Sequence, residues 1–256
     1  MTDLVVSRDG GVLRLHIDRE PKRNALSGDL LRPMLAALGS PAPQDRVVLI
    51  TSAGEKVFCS GVDLVQMAPE ATGLEVHEGR GLLREVILAM RDCPLPVVAS
   101  VQGLCLAGGV GLVLGCDIVL ASETAAFGLP EVDLGLWPFM VSALLGRHTS
   151  PKRAMEMMLS GRRVPAAEAR EMGLVSRVVT AASLAADTAD LAAALAAKPP
   201  VAVRLGKAAF HAALESSLAA GLVAMQAQLS LLNTTEDAAE GVGAFLHKRP
   251  AVWQGR

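Results

Sequence analysis

Two glycine-rich segments concentrate the residues of this chain that can do chemistry. One is Phe58-Cys59-Ser60-Gly61-Val62-Asp63-Leu64; the other is Val101-Gln102-Gly103-Leu104-Cys105-Leu106-Ala107-Gly108-Gly109. Each follows a short apolar run that reads as a buried strand, 47–51 before the first and 97–101 at the start of the second. Glycine lets one backbone approach another group closely, so each segment could aim a backbone N–H into a shared cleft. Two such donors make an oxyanion hole, and the second would lie at a helix start, where the dipole adds positive potential. Taken singly, each segment is better explained by tight backbone packing. Other chemistries find less support. The five histidines, His16, His77, His148, His211 and His247, are scattered, with no two at i, i+4, so no metal site is expected. A GxSxG elbow and a Walker A run are both absent, and Gly108-Gly109-Val110-Gly111 is not GxGxxG.

The elements around these segments alternate in type. Apolar residues flanking Asp9-Gly10-Gly11 predict a β-hairpin. Ser27 is placed to cap a helix over 28–38, and a second helix is expected over 73–91. Ala107-Gly108-Gly109 opens a helix to about 116, and a strand begins near 117. After about residue 150 the pattern turns helical, over 151–159, 165–172, 181–197, 201–216, 218–232 and 235–247, with a short strand near 174–179. Lys198-Pro199-Pro200 is a break. Strands alternating with helices predict an α/β or mixed α+β layered core.

Composition narrows the partners. The chain has 256 residues, 51% hydrophobic and 20% charged, with a mean hydropathy of +0.39. Disorder is excluded on that ground. With 24 Lys+Arg against 26 Asp+Glu, 3% aromatics and no Tyr, nothing favours nucleic acid or an anionic membrane. Cys59, Cys93, Cys105 and Cys116 form no CxxC pair and read as buried small hydrophobes in a reducing cytosol. The first residues show no signal or transit peptide, so a cytoplasmic protein is expected. The most membrane-like stretch, 97–116, contains Gln102 and five glycines. It reads better as strand, glycine loop and buried helix than as a span.

Set in order, further motifs join these segments: Pro21-Lys22-Arg23-Asn24-Ala25-Leu26, Cys116-Asp117-Ile118, Phe127-Gly128-Leu129-Pro130-Glu131-Val132, Leu134-Gly135-Leu136, Ala166-Ala167-Glu168-Ala169, and Thr235-Glu236-Asp237 leading to Phe245-Leu246-His247-Lys248-Arg249. Single pieces are common, but the ordered set spans nearly the whole chain. It resembles the crotonase superfamily, also called the enoyl-CoA hydratase/isomerase family. The resemblance implies a spiral of ββα units over residues 1–195 and a C-terminal helical trimerisation region over 196–256, with trimers often paired into hexamers. It implies an acyl-CoA thioester substrate and no cofactor apart from the coenzyme A of that substrate.

The resemblance also assigns roles. The thioester oxygen would accept hydrogen bonds from the N–H groups of Val62 and Gly108. Polarising that carbonyl acidifies the α-carbon and stabilises an enolate, at about 3–4 kcal/mol per donor. Lys22, Arg23, Ala25, Ser60, Leu64, Trp137 and Lys248 would lie along the substrate, and Asp63 would brace the oxyanion loop. Hydratases of this family use two glutamates around a water. The second corresponds to Glu131, but the first falls on Gly111, which has no side chain. One carboxylate can instead take a proton from C2 and return it at C4, so isomerisation is favoured. The alternatives are a hydratase with non-standard water activation, a thioester hydrolase or decarboxylase on the same scaffold, and an acyl-CoA-binding scaffold without turnover. Asp133 is expected to be structural.

Overall fold

A computed structural model describes residues 2–63 and 73–256 of the chain. The N-terminal hairpin pairs β1 (Leu4–Asp9) with β2 (Val12–Ile17) across the Gly10-Gly11 turn. Ser27 caps α1 (Gly28–Gly39), its Oγ accepting the Leu30 N–H at 3.2 Å. Three strands then enter one sheet: β3 (Val47–Ser52), β5 (Val97–Val101) and β7 (Ile118–Ser122). Three short strands enter another: β4 (Val57–Cys59), β6 (Leu104–Leu106) and β8 (Ala126–Gly128). Later segments complete both sheets. The first runs β1-β2-β3-β5-β7-β10, with β10 at Arg177–Val179; the second runs β4-β6-β8-β9, with β9 at Arg163–Pro165.

The chain therefore winds in repeated turns, each laying one strand in the large sheet and the next in the small one. α2 (Gly73–Asp92) follows β4, and α3 (Gly108–Leu114) follows β6. A glycine sits at the corner between β5 and β6. Gly103 has φ +61°, and a Cβ there would fall 2.2 Å from the Lys56 carbonyl oxygen.

Both faces of the central strands β3, β5 and β7 are dry, which is why they read as unbroken apolar runs. Val48, Ile50, Val97, Ala99, Val119 and Ala121 point into the main core. The alternate residues Val47, Leu49, Val98 and Leu120 pack against Leu184, Leu191 and Ala192 of α7 (Leu184–Ala196). A buried hydrogen bond of 2.9 Å between Ser100 Oγ and Thr188 Oγ1 crosses that second face. One face of α7 thus packs within the chain, while Ala185, Ala186, Ala189, Ala193 and Ala194 on its other side are exposed. The membrane-like stretch 97–116 resolves into β5, β6 and α3, and among the described residues no helix is long and apolar enough to cross a membrane.

The helical part continues with α4 (Phe139–His148), α5 (Pro151–Ser160), α6 (Ala166–Glu171), α8 (Pro200–Leu214), α9 (Leu218–Leu232) and α10 (Glu236–Leu246). Lys207 on α8 ties this region to the core. Its Nζ donates to the Met90 and Leu95 carbonyls at 2.9 and 3.0 Å and to Asp117 Oδ2 at 2.7 Å. Asp117 Oδ2 also accepts the Val97 N–H, so its role is structural.

Candidate active site

The three parallel strands of the small sheet end at one cleft. After β4 come Ser60 and Val62; after β6 come Ala107 and Gly108; after β8 come Pro130 and Glu131. All six line a cavity of about 810 Å³. A site at the carboxyl ends of parallel strands is what this topology provides, because each strand there gives way to a loop of free backbone groups.

The first two ends are packed to very short distances. Gly61 has φ +101°, and a Cβ on it would lie 2.6 Å from Ala107 Cβ. A Cβ on Gly109 would lie 2.8 Å from Cys59 Cβ, and the Cβ position of Gly108 is 3.5 Å from the Val62 nitrogen. Ala107 itself holds φ 52°, ψ −127°, a backbone region unfavourable for a residue with a side chain. Its own N–H is anchored on the Gly128 carbonyl at 2.9 Å, which ties the end of β6 to β8. The strip 60–63 is fastened on its other side. Ser60 N–H donates to the Arg23 carbonyl, Leu26 N–H to the Gly61 carbonyl, and Asp63 N–H to the Leu26 carbonyl. Among the described residues, the N–H groups of Val62 and Gly108 have no protein acceptor. Two neighbouring donors are therefore open at the cleft.

Glu131 lies in a single 3-10 turn, Pro130–Leu134, closed by Gly135 at φ 70°. Its Oε2 is buried without a protein partner among the described residues. Burial pushes this carboxyl above the ordinary carboxylate range, and a hydrogen bond from its own backbone N–H offsets part of that. The rest of the wall is mainly apolar: Leu134, Leu136, Trp137, Phe139, Met140 and Val141. A partly desolvated carboxylate sharing a cleft with two open N–H donors can exchange a proton with a carbon beside a polarised carbonyl. The thiol at the end of β4 is not a candidate nucleophile, since burial pushes Cys59 up to about 12.

A family model described as enoyl-CoA hydratase/isomerase matches residues 7–256. The chain is 34% identical over 258 residues to the 2,3-dehydroadipyl-CoA hydratase of Escherichia coli K12, covering 100% of both chains. The chain belongs to the enoyl-CoA hydratase/isomerase family. Solved structures show the same crotonase fold. An enoyl-CoA hydratase of Mycobacterium smegmatis superposes with a TM-score of 0.94 at 32% identity, covering 98% of both chains. Human enoyl coenzyme A hydratase domain-containing protein 3 does so with a TM-score of 0.94 at 32% identity, covering 98% of this chain and 100% of that one.

The surroundings of Gly111 are closely packed. Gly111 is buried in α3, and a Cβ built on it would lie 3.2 Å from Val141 Cγ2 and 3.8 Å from Ile87 Cδ1. The space beside it is filled by α4 and α2. Among the described residues Glu131 is the one acidic side chain lining the cleft.

The other residues expected from sequence divide into two groups. Ser60, Val62, Gly108, Glu131 and Trp137 line one cavity. Lys22 and Arg23 are exposed on the turn beside strip 60–63, and Ala25 is buried with its carbonyl accepting Arg19 Nη1. Asp63 Oδ2 pairs with Arg19 Nη2 at 2.8 Å. Lys248 follows α10 at φ 51° and does not line the cavity. Leu64 lies outside the described residues. Asp133 faces Gly161 at the end of α5, where a Cβ would lie 2.9 Å from its Oδ2. Sequence reasoning passed over His77 and Arg84, which line the cleft from α2, and Val141 on α4. The i, i+7 spacing of His77 and Arg84 puts both on one helix face and was a usable signal. Val141 gave none, because the helix carrying it was not expected.

Proposed function

We propose that the protein binds acyl-CoA thioesters and moves a double bond of the acyl group from C3–C4 to C2–C3. The observation that carries this reading is the single carboxylate lining the cleft among the described residues, with Val141 packed beside Gly111, where the family resemblance would put a hydratase's other glutamate. The thioester oxygen accepts the Val62 and Gly108 N–H groups. Glu131 removes a proton from C2, and the C–H electron pair moves into an enolate conjugated with the C3–C4 double bond. The electron pair of that double bond then takes the proton back from Glu131 at C4, leaving a C2–C3 double bond and the carboxylate regenerated. No water is consumed. Burial that raises the Glu131 carboxyl brings its basicity closer to what abstraction of an α-proton requires.

Hydration is the second reading. His77 supports it, as another titratable side chain lining the same cleft. So do the names of the E. coli and M. smegmatis relatives, both called hydratases. A panel of 3-enoyl- and 2-enoyl-CoA substrates, followed at the absorbance of the conjugated thioester, separates the two. Isomerisation makes that absorbance appear from a 3-enoyl substrate; loss of absorbance from a 2-enoyl substrate with no isomerisation would overturn the proposal.

The assembly we propose is a homotrimer or a dimer of trimers. Support comes from large apolar side chains left exposed on the late helices, among them Phe210 at 57%, Leu218 at 80% and Phe245 at 83%. The four unpaired thiols suit a reducing, cytoplasmic setting. Mass measurement in solution at low micromolar concentration tests the assembly.

A further inference from the structure

Behind the oxyanion strip lies an ion-pair network that the reaction does not itself use. Arg19 is 14% exposed and spreads its guanidinium over three acceptors. Nε pairs with Asp3 Oδ2 at 2.8 Å, Nη2 with Asp63 Oδ2 at 2.8 Å, and Nη1 donates to the Ala25 carbonyl at 3.1 Å. Asp3 Oδ2 also accepts the Ser27 hydroxyl at 2.9 Å. The arginine therefore joins the segment 22–26 to the residue directly after Val62. A planar fork with fixed donor directions transmits displacement in a way a flexible ammonium does not.

The segment it holds is stiff. Arg23 and Asn24 both sit at φ 53°, a conformation unusual for residues with side chains. Asn24 is fully buried and has each polar group claimed. Its Oδ1 accepts the Arg19 N–H at 3.1 Å, and its Nδ2 donates to the Ala53 and Val57 carbonyls at 2.8 Å each. The Arg23 carbonyl holds the Ser60 N–H, and Leu26 exchanges bonds with Gly61 and Asp63 on either side of Val62. A strained, over-determined turn lying against a donor strip moves as one body with it.

At the exposed corner of this body are Lys22 and Arg23, two cations that do not line the cleft. We propose that Arg19 is a positioning residue that couples occupancy of this corner by the phosphates of the nucleotide to the alignment of the Val62 N–H. Binding of the non-reacting half of the substrate would then strengthen polarisation of the thioester. That is binding energy from a remote group expressed in kcat rather than in KM alone. The inference rests on the acyl-CoA reading above and names how that site is regulated by its own substrate.

The experiment compares an acyl-CoA with the corresponding acyl-pantetheine, which lacks the nucleotide. It uses steady-state kinetics and the infrared carbonyl band of the bound, 13C-labelled thioester. In the unaltered protein kcat should be at least about tenfold higher with the CoA thioester, and its carbonyl band should shift further to low frequency. Arg19→Lys should bring kcat for the CoA thioester down to that of the pantetheine thioester and equalise the two bands. KM for acyl-CoA and kcat for acyl-pantetheine should each change less than about twofold. Asp63→Asn, which removes the charge and keeps an acceptor, should do the same and serves if the arginine variant does not fold. Equal kcat for both thioesters in the unaltered protein would overturn the coupling. So would an equal fractional loss with both thioesters in either variant, which a merely structural brace produces. The band shift needs no turnover. A CoA-dependent shift without double-bond migration would sink the isomerase reading and leave the coupling standing.

Discussion

The ends of β4 and β6 and the end of β8 meet at the same cleft under opposite packing. At the first two, a Cβ added to Gly61 or Gly109 would meet contacts of 2.6–2.8 Å, three backbone hydrogen bonds fasten the strip 60–63, and Ala107 is held in a strained conformation. At the third, Glu131 sits in one short turn with a carboxylate oxygen that nothing in the described chain claims. The difference suits the roles proposed above for each group. A backbone donor has a fixed charge distribution and contributes only through position, so it is worth over-determining. A proton carrier has to change its charge, and a tight partner would hold it in one state.

Removing the unclaimed carboxylate should have the largest effect. Glu131→Gln is expected to lower kcat by on the order of 10³-fold while leaving the fold intact, since acid–base catalysis contributes roughly 10²–10⁴. In the unaltered enzyme kcat/KM should fall as pH drops through a value above the ordinary carboxylate range, because the basic form does the work and burial raises its pKa. A pH profile of both proteins checks this, and an acid limb surviving in the variant would assign the titration elsewhere.

Disturbing the packed side comes next. Gly61→Ala puts a Cβ 2.6 Å from Ala107 Cβ at a φ of +101°. A loss of about 10²-fold in kcat is expected, the scale for one misplaced oxyanion donor. Unlike Glu131→Gln it should also lower Tm, and thermal melts of the two variants side by side test the contrast.

A smaller effect sharpens the comparison at Gly111. Gly111→Glu alone meets Val141 Cγ2 at 3.2 Å and should reduce isomerisation without adding hydration. Combined with Val141→Ala it gains room for a second carboxylate, and hydration of a 2-enoyl-CoA should rise by about tenfold. No gain in the pair would show that the missing glutamate is not what limits hydration.

The smallest change is thermodynamic. A carboxyl with a raised pKa in the folded state binds its proton more tightly there than in the unfolded chain. Stability is therefore lost as pH rises from the unfolded value through the folded one. Relative to the unaltered protein, Glu131→Gln should melt on the order of 1–3 °C higher at pH 8, with the gap closing in acid. A gap that widens in acid would reverse the assignment.

Much of this was legible along the chain. The capped helix at Ser27, the hairpin at Gly10-Gly11 and the apolar runs of β3 and β5 depend on local rules: a side chain on a free N–H, a turn needing φ > 0, a strand buried on both faces. The small sheet was not. Each of its four strands is three residues long, too short for a period to register, and each forms because the large sheet brings it beside the next. The helix carrying Val141 escaped notice for a related reason. It starts from Pro138 without a side-chain cap, so no local signal marks it.

What the residues determined by themselves was the family, the two glycine-rich donor segments and the absence of a carboxylate at 111, because these are matters of residue type and order. What the tertiary structure decided was convergence. Val62, Gly108 and Glu131 lie on three separate turns of the chain, and only the stacking of β4, β6 and β8 sets their ends around one cleft. The environments were decided there too. Whether a glycine is needed depends on Cys59 or Ala107 lying a few ångströms away, and the elevation of the Glu131 pKa depends on burial. Neither is a property of a residue or of its neighbours in sequence.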